Sequence, residues 1–337
     1  MANATQSVLG SANKAVSSTW GGDYDTKYNT YLKLFSGELF KAYESATIAR
    51  DTVQRRTLKN GKSLQFIFTG RMTAAYHEPG TPILGSGDPP VAEKTINCDD
   101  LLIGSAFIYD LDETLAHYSL RGEISKKIGH ALAEAYDKKI FRTIALAARE
   151  SHPIEASPGP EPGGSQIQLG VTKEYDAQAL VDAFFEAASI LDEKNMPKQG
   201  RTAVLSPRQY YALVSQVSTN ILNRDFGNGQ GNLNSGEGLY EIAGIQIRRS
   251  NNLPFLAGTV NAETGENNAY NGDFSKHCGL IYYKDAAGVV EAIGPQVQVT
   301  SGDVSVLYQG DVIVGRLAMG VGTLNPAAAI ELISDRT

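Results

Sequence analysis

Two aspartates one residue apart, Asp110 and Asp112, directly follow the apolar run Ala106-Phe107-Ile108-Tyr109 and precede Thr114 and Leu115. Carboxylates at that spacing behind a strand could divide the work of phosphoryl transfer. The first would attack phosphorus and the second would serve as acid and base, with magnesium neutralising the charge between them. The surrounding chain argues against this use. A long stretch precedes the supposed first strand, and the motif runs straight into a long helical pattern instead of a short flap. No lysine after Val204-Leu205-Ser206 is marked for a third role, and Gly310-Asp311 is followed by Val312-Ile313-Val314-Gly315 with no second acid. Asp110, Asp112 and Glu113 are better explained as carboxylates around a helix start, where they satisfy free N–H groups and the helix dipole.

Other candidate chemistry is thinner. His77, His117, His130, His152 and His277 are scattered, without an HExxH pair or a neighbouring nucleophile elbow. They are read as surface or interface residues. Cys98 and Cys278 are far apart, outside any zinc-type spacing, and are read as buried reduced thiols. The glycine and asparagine run from Asn223 to Gly238 neither follows a strand nor opens a helix as a phosphate cradle requires, so it is read as a loop. Tyr76, Tyr109 and Tyr118 could stack on bases, but no basic patch surrounds them. The reading is of a protein with no catalytic residues, no metal and no cofactor.

The elements that would hold these residues follow from periodicity. Residues 1–27 carry small polar side chains and too little apolar area to offset the entropy of ordering, and are read as an arm. From Tyr28 to Ala46 apolar residues recur at helical spacing. From Ser63 the period becomes two, with Leu64, Phe66 and Phe68 on one face. A turn-rich stretch from Pro79 to Pro90 and a β-prone return through Val91, Thr95 and Ile96 to Leu101-Leu102-Ile103 complete a long hairpin. Its tip is too poor in apolar residues to fold onto a core of its own.

A helix is expected from about Leu120 to Arg149, with Ile124, Ile128, Leu132, Ala135, Ile140, Ile144 and Ala148 as its stripe. At 1.5 Å per residue, thirty residues make a rod of about 45 Å. A proline-rich linker follows, then a helix from near Tyr175, a strand at Ala203-Val204-Leu205 and a helix opened by Ser206-Pro207. Strands are expected at Ile245–Arg248, Leu280–Tyr283, Val289–Val299, Val304–Val314 and Ala327–Ile333.

The formal net charge of −7 excludes a dedicated nucleic-acid reader, which needs a concentrated excess of Lys and Arg. No apolar stretch approaches the roughly 20 residues of a membrane span. No secretory leader pattern opens the chain, so it is expected to stay where it is made.

Two resemblances follow. Asp110-Leu111-Asp112-Glu113-Thr114 resembles the signature of haloacid-dehalogenase-type phosphatases, which is the alternative function: a magnesium-dependent enzyme using Asp110 and Asp112. The other resemblance spans far more of the chain. Tyr31-Leu32-Lys33-Leu34-Phe35-Ser36-Gly37-Glu38-Leu39 forms its first stretch. Gly61-Lys62-Ser63-Leu64-Gln65-Phe66 with Gly70-Arg71, Ala74-Ala75-Tyr76 and Pro79-Gly80 forms the second. The third is Leu101-Leu102, Ile108-Tyr109-Asp110, His117-Tyr118, Arg121 and Glu123, with weaker matches at Ile242–Ile245, Asn252-Leu253-Pro254, Ala318-Met319-Gly320 and Leu324-Asn325-Pro326. Together they are similar to the major capsid proteins of T-seven-type podoviruses, particularly cyanophage relatives.

That resemblance implies an α+β, Hong Kong 97-type capsid fold. It implies an N-terminal arm over 1–60, an extended loop over 61–100, a periphery domain over 101–174 including a spine helix at 120–149, an axial domain over 175–294, and C-terminal periphery strands over 295–337. It further implies self-assembly into hexamers and pentamers of an icosahedral head around double-stranded DNA. Scaffolding and portal proteins would be partners, contact with packaged DNA would be loose, and no membrane would be involved. The location would be the virion, with the host cytoplasm during assembly. Lys62, Arg71, Tyr76, Glu78, Pro79, Gly80, Arg121 and Glu123 are the expected intersubunit contacts. A cellular nanocompartment shell of the same fold is a further alternative. A lysine–asparagine crosslink, used by some relatives, has no motif here to place it.

Overall fold

Period-two and period-3.6 patterning both translate into structure in the computed structural model, which describes residues 47–70, 74, 76–82, 90–115, 120–152, 154, 161–216, 241–299 and 308–335. The expected arm, the helix over 28–46 and the loop over 223–238 lie outside those residues. In chain order the strands are β1 (Gln54–Thr57), β2 (Ser63–Thr69), β3 (Val91–Asn97), β4 (Leu102–Tyr109), β5 (Ser165–Gln168), β6 (Arg201–Leu205) and β7 (Glu241–Ile242). They continue with β8 (Ile245–Arg249), β9 (Thr259–Val260), β10 (Gly272–Asp273), β11 (His277–Tyr283), β12 (Ala287–Val299), β13 (Gly310–Thr323) and β14 (Ala329–Ile333). The helices are α1 (Asp110–Leu115), α2 (Leu120–Ala147), α3 (Ala177–Glu193) and α4 (Pro207–Gln216).

The chain divides into two compact units. The larger comprises Ser45–Ile103, Ala131–Gln296 and Arg316–Thr337, and the smaller includes Gly104–His130 and Val297–Gly315.

In the larger unit a six-stranded sheet runs in the order β5-β14-β11-β6-β8-β7. β6 is buried along its whole length and β11 at every residue except the last, as expected of central strands covered on both faces, with Arg201, Thr202 and His277 among the buried residues. α3 and α4 supply the apolar layer. Leu180, Phe184 and Leu191 of α3 and Leu213 of α4 form one cluster with Leu205, Ile281 and Leu332. Asp176 caps α3 by accepting the Gln178 N–H at 3.1 Å. Ser206 and Gln209 bracket the start of α4 reciprocally: Ser206 N–H donates to Gln209 Oε1 at 3.0 Å, and Gln209 N–H donates to Ser206 Oγ at 3.4 Å.

Three expectations are revised. The spine helix ends at Ala147, two residues before Arg149, whose N–H turns back to Leu146 O. Its buried face carries Tyr136 and Asp137 where Ala135 was expected, because both make polar contacts inside the larger unit. From Ile140 to Ala148 only Arg142 and Leu146 keep partial exposure, so the one-sided stripe expected there becomes burial nearly all round. β14 pairs with β11 and, in parallel, with β5 in the six-stranded sheet.

A second sheet has the order β1-β12-β13-β4, with β1 and β12 parallel. At the Asp110 motif the described residues include a six-residue helical segment, α1.

Candidate assembly surfaces

The hairpin expected after Ser63 is β2 and β3, antiparallel with Ser63 opposite Asn97 and Thr69 opposite Val91. These strands form a two-stranded sheet of their own. Alternation gives the hairpin two unlike faces. Leu64, Phe66, Phe68 and Ile96 turn inward onto Leu58, Val290 and Leu324 of the same unit. Ile67 and Val91 turn outward and are 71% and 60% exposed.

The inward docking depends on missing side chains. A Cβ on Gly322 would lie 2.7 Å from Ile96 Cγ1, and one on Gly288 would lie 3.2 Å from Ile96 Cδ1. At Gly320 a Cβ would meet the Asn97 carbonyl oxygen at 1.8 Å. Glycines on β12 and β13 thus let the base of β3 sit against strand backbone. Lys94 of β3 adds an ion pair to Glu150 at 3.3 Å, and Phe68 packs edge-on against His152 at 6.3 Å between ring centroids. The hairpin is therefore not wholly free: one face is anchored to its own unit.

The described tip residues behave differently. Residues 76–82 are all exposed, and Tyr76 is at 105% of its reference exposure. Glu78 to Thr81 form a turn in which Thr81 N–H and Oγ1 donate to Glu78 O at 3.3 and 2.7 Å. Gly80 supports the turn at φ +94°.

The expected contact residues are therefore distributed as follows. Tyr76, Glu78, Pro79 and Gly80 lie together on the tip, and Lys62 is exposed at the hairpin base. Arg71 lies outside the described residues. Arg121 and Glu123 lie in the first turn of α2, in the smaller unit, and Glu123 pairs within its own helix with Lys126 at 3.5 Å. The smaller unit also leaves Phe107, Tyr109, Leu111 and Tyr308 between 39% and 67% exposed.

Beneath these surfaces, three polar clusters hold the larger unit together. The fully buried Glu331 of β14 accepts Arg149 Nε at 2.7 Å and Nη2 at 2.5 Å, Gln166 Nε2 at 2.7 Å, and pairs with His277 Nδ1 at 2.8 Å. Burial pushes its carboxyl upward, but the hydrogen bonds from Arg149 and His277 outweigh that and hold it at about 2. An open depression of about 530 Å³ lies beside this hub, lined by Arg149, Gln166, Ser275 and Lys276. Both cations there are committed, Arg149 to Glu331 and Lys276 to Asp335 at 2.7 Å.

The second cluster is at Asp99. It accepts Tyr270 Oη at 2.6 Å, Asn267 N–H at 2.9 Å and Lys139 Nζ at 3.3 Å, which fixes the break between β3 and β4 against α2. In the third, Asp137 of α2 accepts Ile48 and Ala49 N–H at 2.9 and 3.3 Å, and burial raises its pKa.

None of these hubs was singled out from the sequence. His152 and His277, expected at the surface or an interface, are buried within the subunit. Cys278 is buried as expected, whereas Cys98 is only half-buried.

Asp110 and Asp112, the pair that resembles the phosphatase signature, both belong to α1, immediately after β4, and among the described residues β4 is at the edge of its sheet. Asp110 is exposed, and its N–H donates to Gln309 O at 3.0 Å.

The architecture defines the class. It superposes on the capsid structure of the cyanophage P-SCSP1u with a TM-score of 0.78 over 100% of both chains, at 36% sequence identity. The mature capsid of bacteriophage PhiM1 gives a TM-score of 0.70 over 89% of this chain and 91% of that one, at 17% identity. The fold is thus the Hong Kong 97-type fold of phage shells. In sequence the chain is 26% identical over 331 residues to the major capsid protein of Enterobacteria phage T3, covering 90% of this chain and 91% of that protein. Against the major capsid protein of Escherichia phage T7 it is 26% identical over 328 residues with the same coverage. Residues 66–332 match the Gp10A-like major capsid protein family, and the chain belongs to that family. Its copies self-assemble into the icosahedral head, and it resides in the virion capsid.

Proposed function

We propose that the chain works without catalysis, as the repeating unit of hexamers and pentamers, with its hairpin tip engaging a neighbouring copy. The observation that carries this is the contrast within the hairpin. Its base is docked by Phe66 and Ile96, yet its tip presents Tyr76 and the Glu78–Thr81 turn entirely to solvent. Tyr76, two residues before that turn, offers a large aromatic surface with only two side-chain torsions to fix when a partner covers it. Many such weak contacts around a closed lattice add through effective concentration.

Within this reading, residues 1–60 act as the arm, 61–100 as the extended loop and 120–147 as the spine. The periphery domain comprises 101–174 and 295–337 and the axial domain 175–294, with β14 of the former paired to β11 of the latter. Charged residues of the hairpin and spine start, Lys62, Arg71, Glu78, Arg121 and Glu123, contribute intersubunit ion pairs. Assembly takes place in the host cytoplasm on scaffolding and portal proteins. The enclosed double-stranded DNA is held loosely, in keeping with a net charge of −7.

The test is removal of Pro79 to Pro90, alongside Tyr76→Ala in the full chain. The expected result is a soluble subunit with unchanged far-UV circular dichroism and no shells by electron microscopy for the deletion, with reduced shell yield for Tyr76→Ala. Shells of normal size and yield from the deletion would overturn the reading.

A further inference from the structure

Among the described residues the hairpin β2–β3 forms a two-stranded sheet by itself, and an isolated two-stranded hairpin is marginal in water, so its order depends on docking its inner face. One contact on that face is unlike the others. His152, in the linker after α2, is 6% exposed and lies edge-on under Phe68. Its Nδ1 accepts the Ile154 N–H at 3.1 Å, which places the ring proton on Nε2 in the neutral form. Ile154 in turn supports the hairpin's far end: a Cβ on Gly70 would lie 3.1 Å from Ile154 Cγ2, and Gly70 N–H closes onto Pro90 O at 2.8 Å.

We propose that His152 is a pH-sensitive latch: neutral, it holds the hairpin against its own subunit, and protonated, it releases the hairpin without unfolding the six-stranded sheet. This goes beyond the assembly reading and stands whether or not the tip meets a neighbour.

The mechanism is a proton from solvent taken up at Nδ1. The ring then becomes a donor at both nitrogens, the Ile154 N–H loses its acceptor, and a cation lies buried beneath Phe68. The groups facing the ring decide the direction. Burial lowers its pKa, and the Glu161 carboxylate opposes this without reversing it. Glu150 is engaged by Thr323 Oγ1 at 2.7 Å and by Lys94 at 3.3 Å, and Lys94 is the cation on the hairpin side. Glu155, also in this linker, lies outside the described residues. With the docked pKa below the free value of about 6.5, docking is fully supported above that pH and weakens as pH falls through the docked value. Each unit between the two values shifts the docking equilibrium about tenfold.

The test uses the full, unassembled chain. Amide hydrogen exchange, corrected for intrinsic rates, is followed from pH 8 to pH 5 for β2 and β3, with β6 and β11 as internal reference. Hairpin protection is expected to fall relative to the reference in the wild type and to stay flat in His152→Gln, whose amide oxygen still accepts from Ile154. Histidine C2 exchange by mass spectrometry gives the His152 pKa directly in the wild type, so the test survives if the variant does not fold. A pH-independent hairpin, a pH response retained in His152→Gln, or a His152 pKa at or above 6.5 would each overturn the proposal.

Discussion

Replacing Glu331 by glutamine should cost the larger unit a sizeable part of its stability, and the structure supplies the magnitude. The carboxylate sits near 2 in the fold against an ordinary value of 4.5. That difference corresponds to about 3 kcal/mol, to order of magnitude. Because the folded value is depressed, the contribution is complete above about pH 4.5 and disappears as pH falls toward 2. Glu331→Gln removes the charge but leaves Arg149, tied to Asp273 O at 2.6 Å, without its counter-ion. Breaking one side of such a pair costs about 3–5 kcal/mol. Urea unfolding of the unassembled chain at pH 7, followed by far-UV circular dichroism, measures the loss. Combining Glu331→Leu with Arg149→Met should cost less than the sum of the single changes, because the orphaned guanidinium is gone. A loss under about 1 kcal/mol for Glu331→Gln, or additive single changes, would refute the claim that this hub ties β14, β5 and the end of the spine together.

Three further outcomes follow from contacts elsewhere. Gly320→Ala forces a methyl into the Asn97 carbonyl, a backbone group that cannot swing aside, and should cost about 3 kcal/mol or lower soluble yield outright; thermal denaturation reads it. Ile96→Ala empties the seat between Gly288 and Gly322 and should cost about 2–5 kcal/mol in urea unfolding, with β2 and β3 amides losing protection before those of β6. Ser206→Ala removes one half of the bracket at the start of α4 and should cost about 1 kcal/mol in the same assay.

How much of this was legible in the sequence depends on whether a residue's reason lies in its near neighbours. The strand β2, the start of α2 and the Ser206 cap are local patterns that the structure carries where periodicity and capping chemistry place them, whereas β3 stops at Asn97 and Leu102-Ile103, expected at the end of the hairpin's return, belong to β4 of another sheet. The seat of the hairpin was not legible. Gly288, Gly320 and Gly322 look like weak points in strands, and only their approach to Ile96 and Asn97, far away in the chain, explains them. The same holds for Glu331, read simply as part of a strand. Its partners Arg149, Gln166 and His277 come from three remote segments, and no spacing rule connects them. Ala135 was placed in the buried stripe for its apolar character, whereas Tyr136 and Asp137 are turned inward by Glu291 and the Ile48 amide.

The assembly surfaces pose the opposite difficulty. A buried residue is constrained by its own chain, and its constraint appears as distances within one subunit. Tyr76 has no such constraint: at 105% exposure, no contact among the described residues accounts for its aromatic ring. In the reading proposed above, a neighbouring copy would take that ring out of water. The inner face of the same hairpin shows the complementary logic. Phe66 and Ile96 are covered within the subunit and hold the base of the element that carries the exposed Glu78–Thr81 turn. A shell protein needs both properties in one element. A hairpin anchored along its whole length would leave nothing to offer a neighbour, and one free along its whole length would lose on binding, as ordering entropy, much of what the contact supplies.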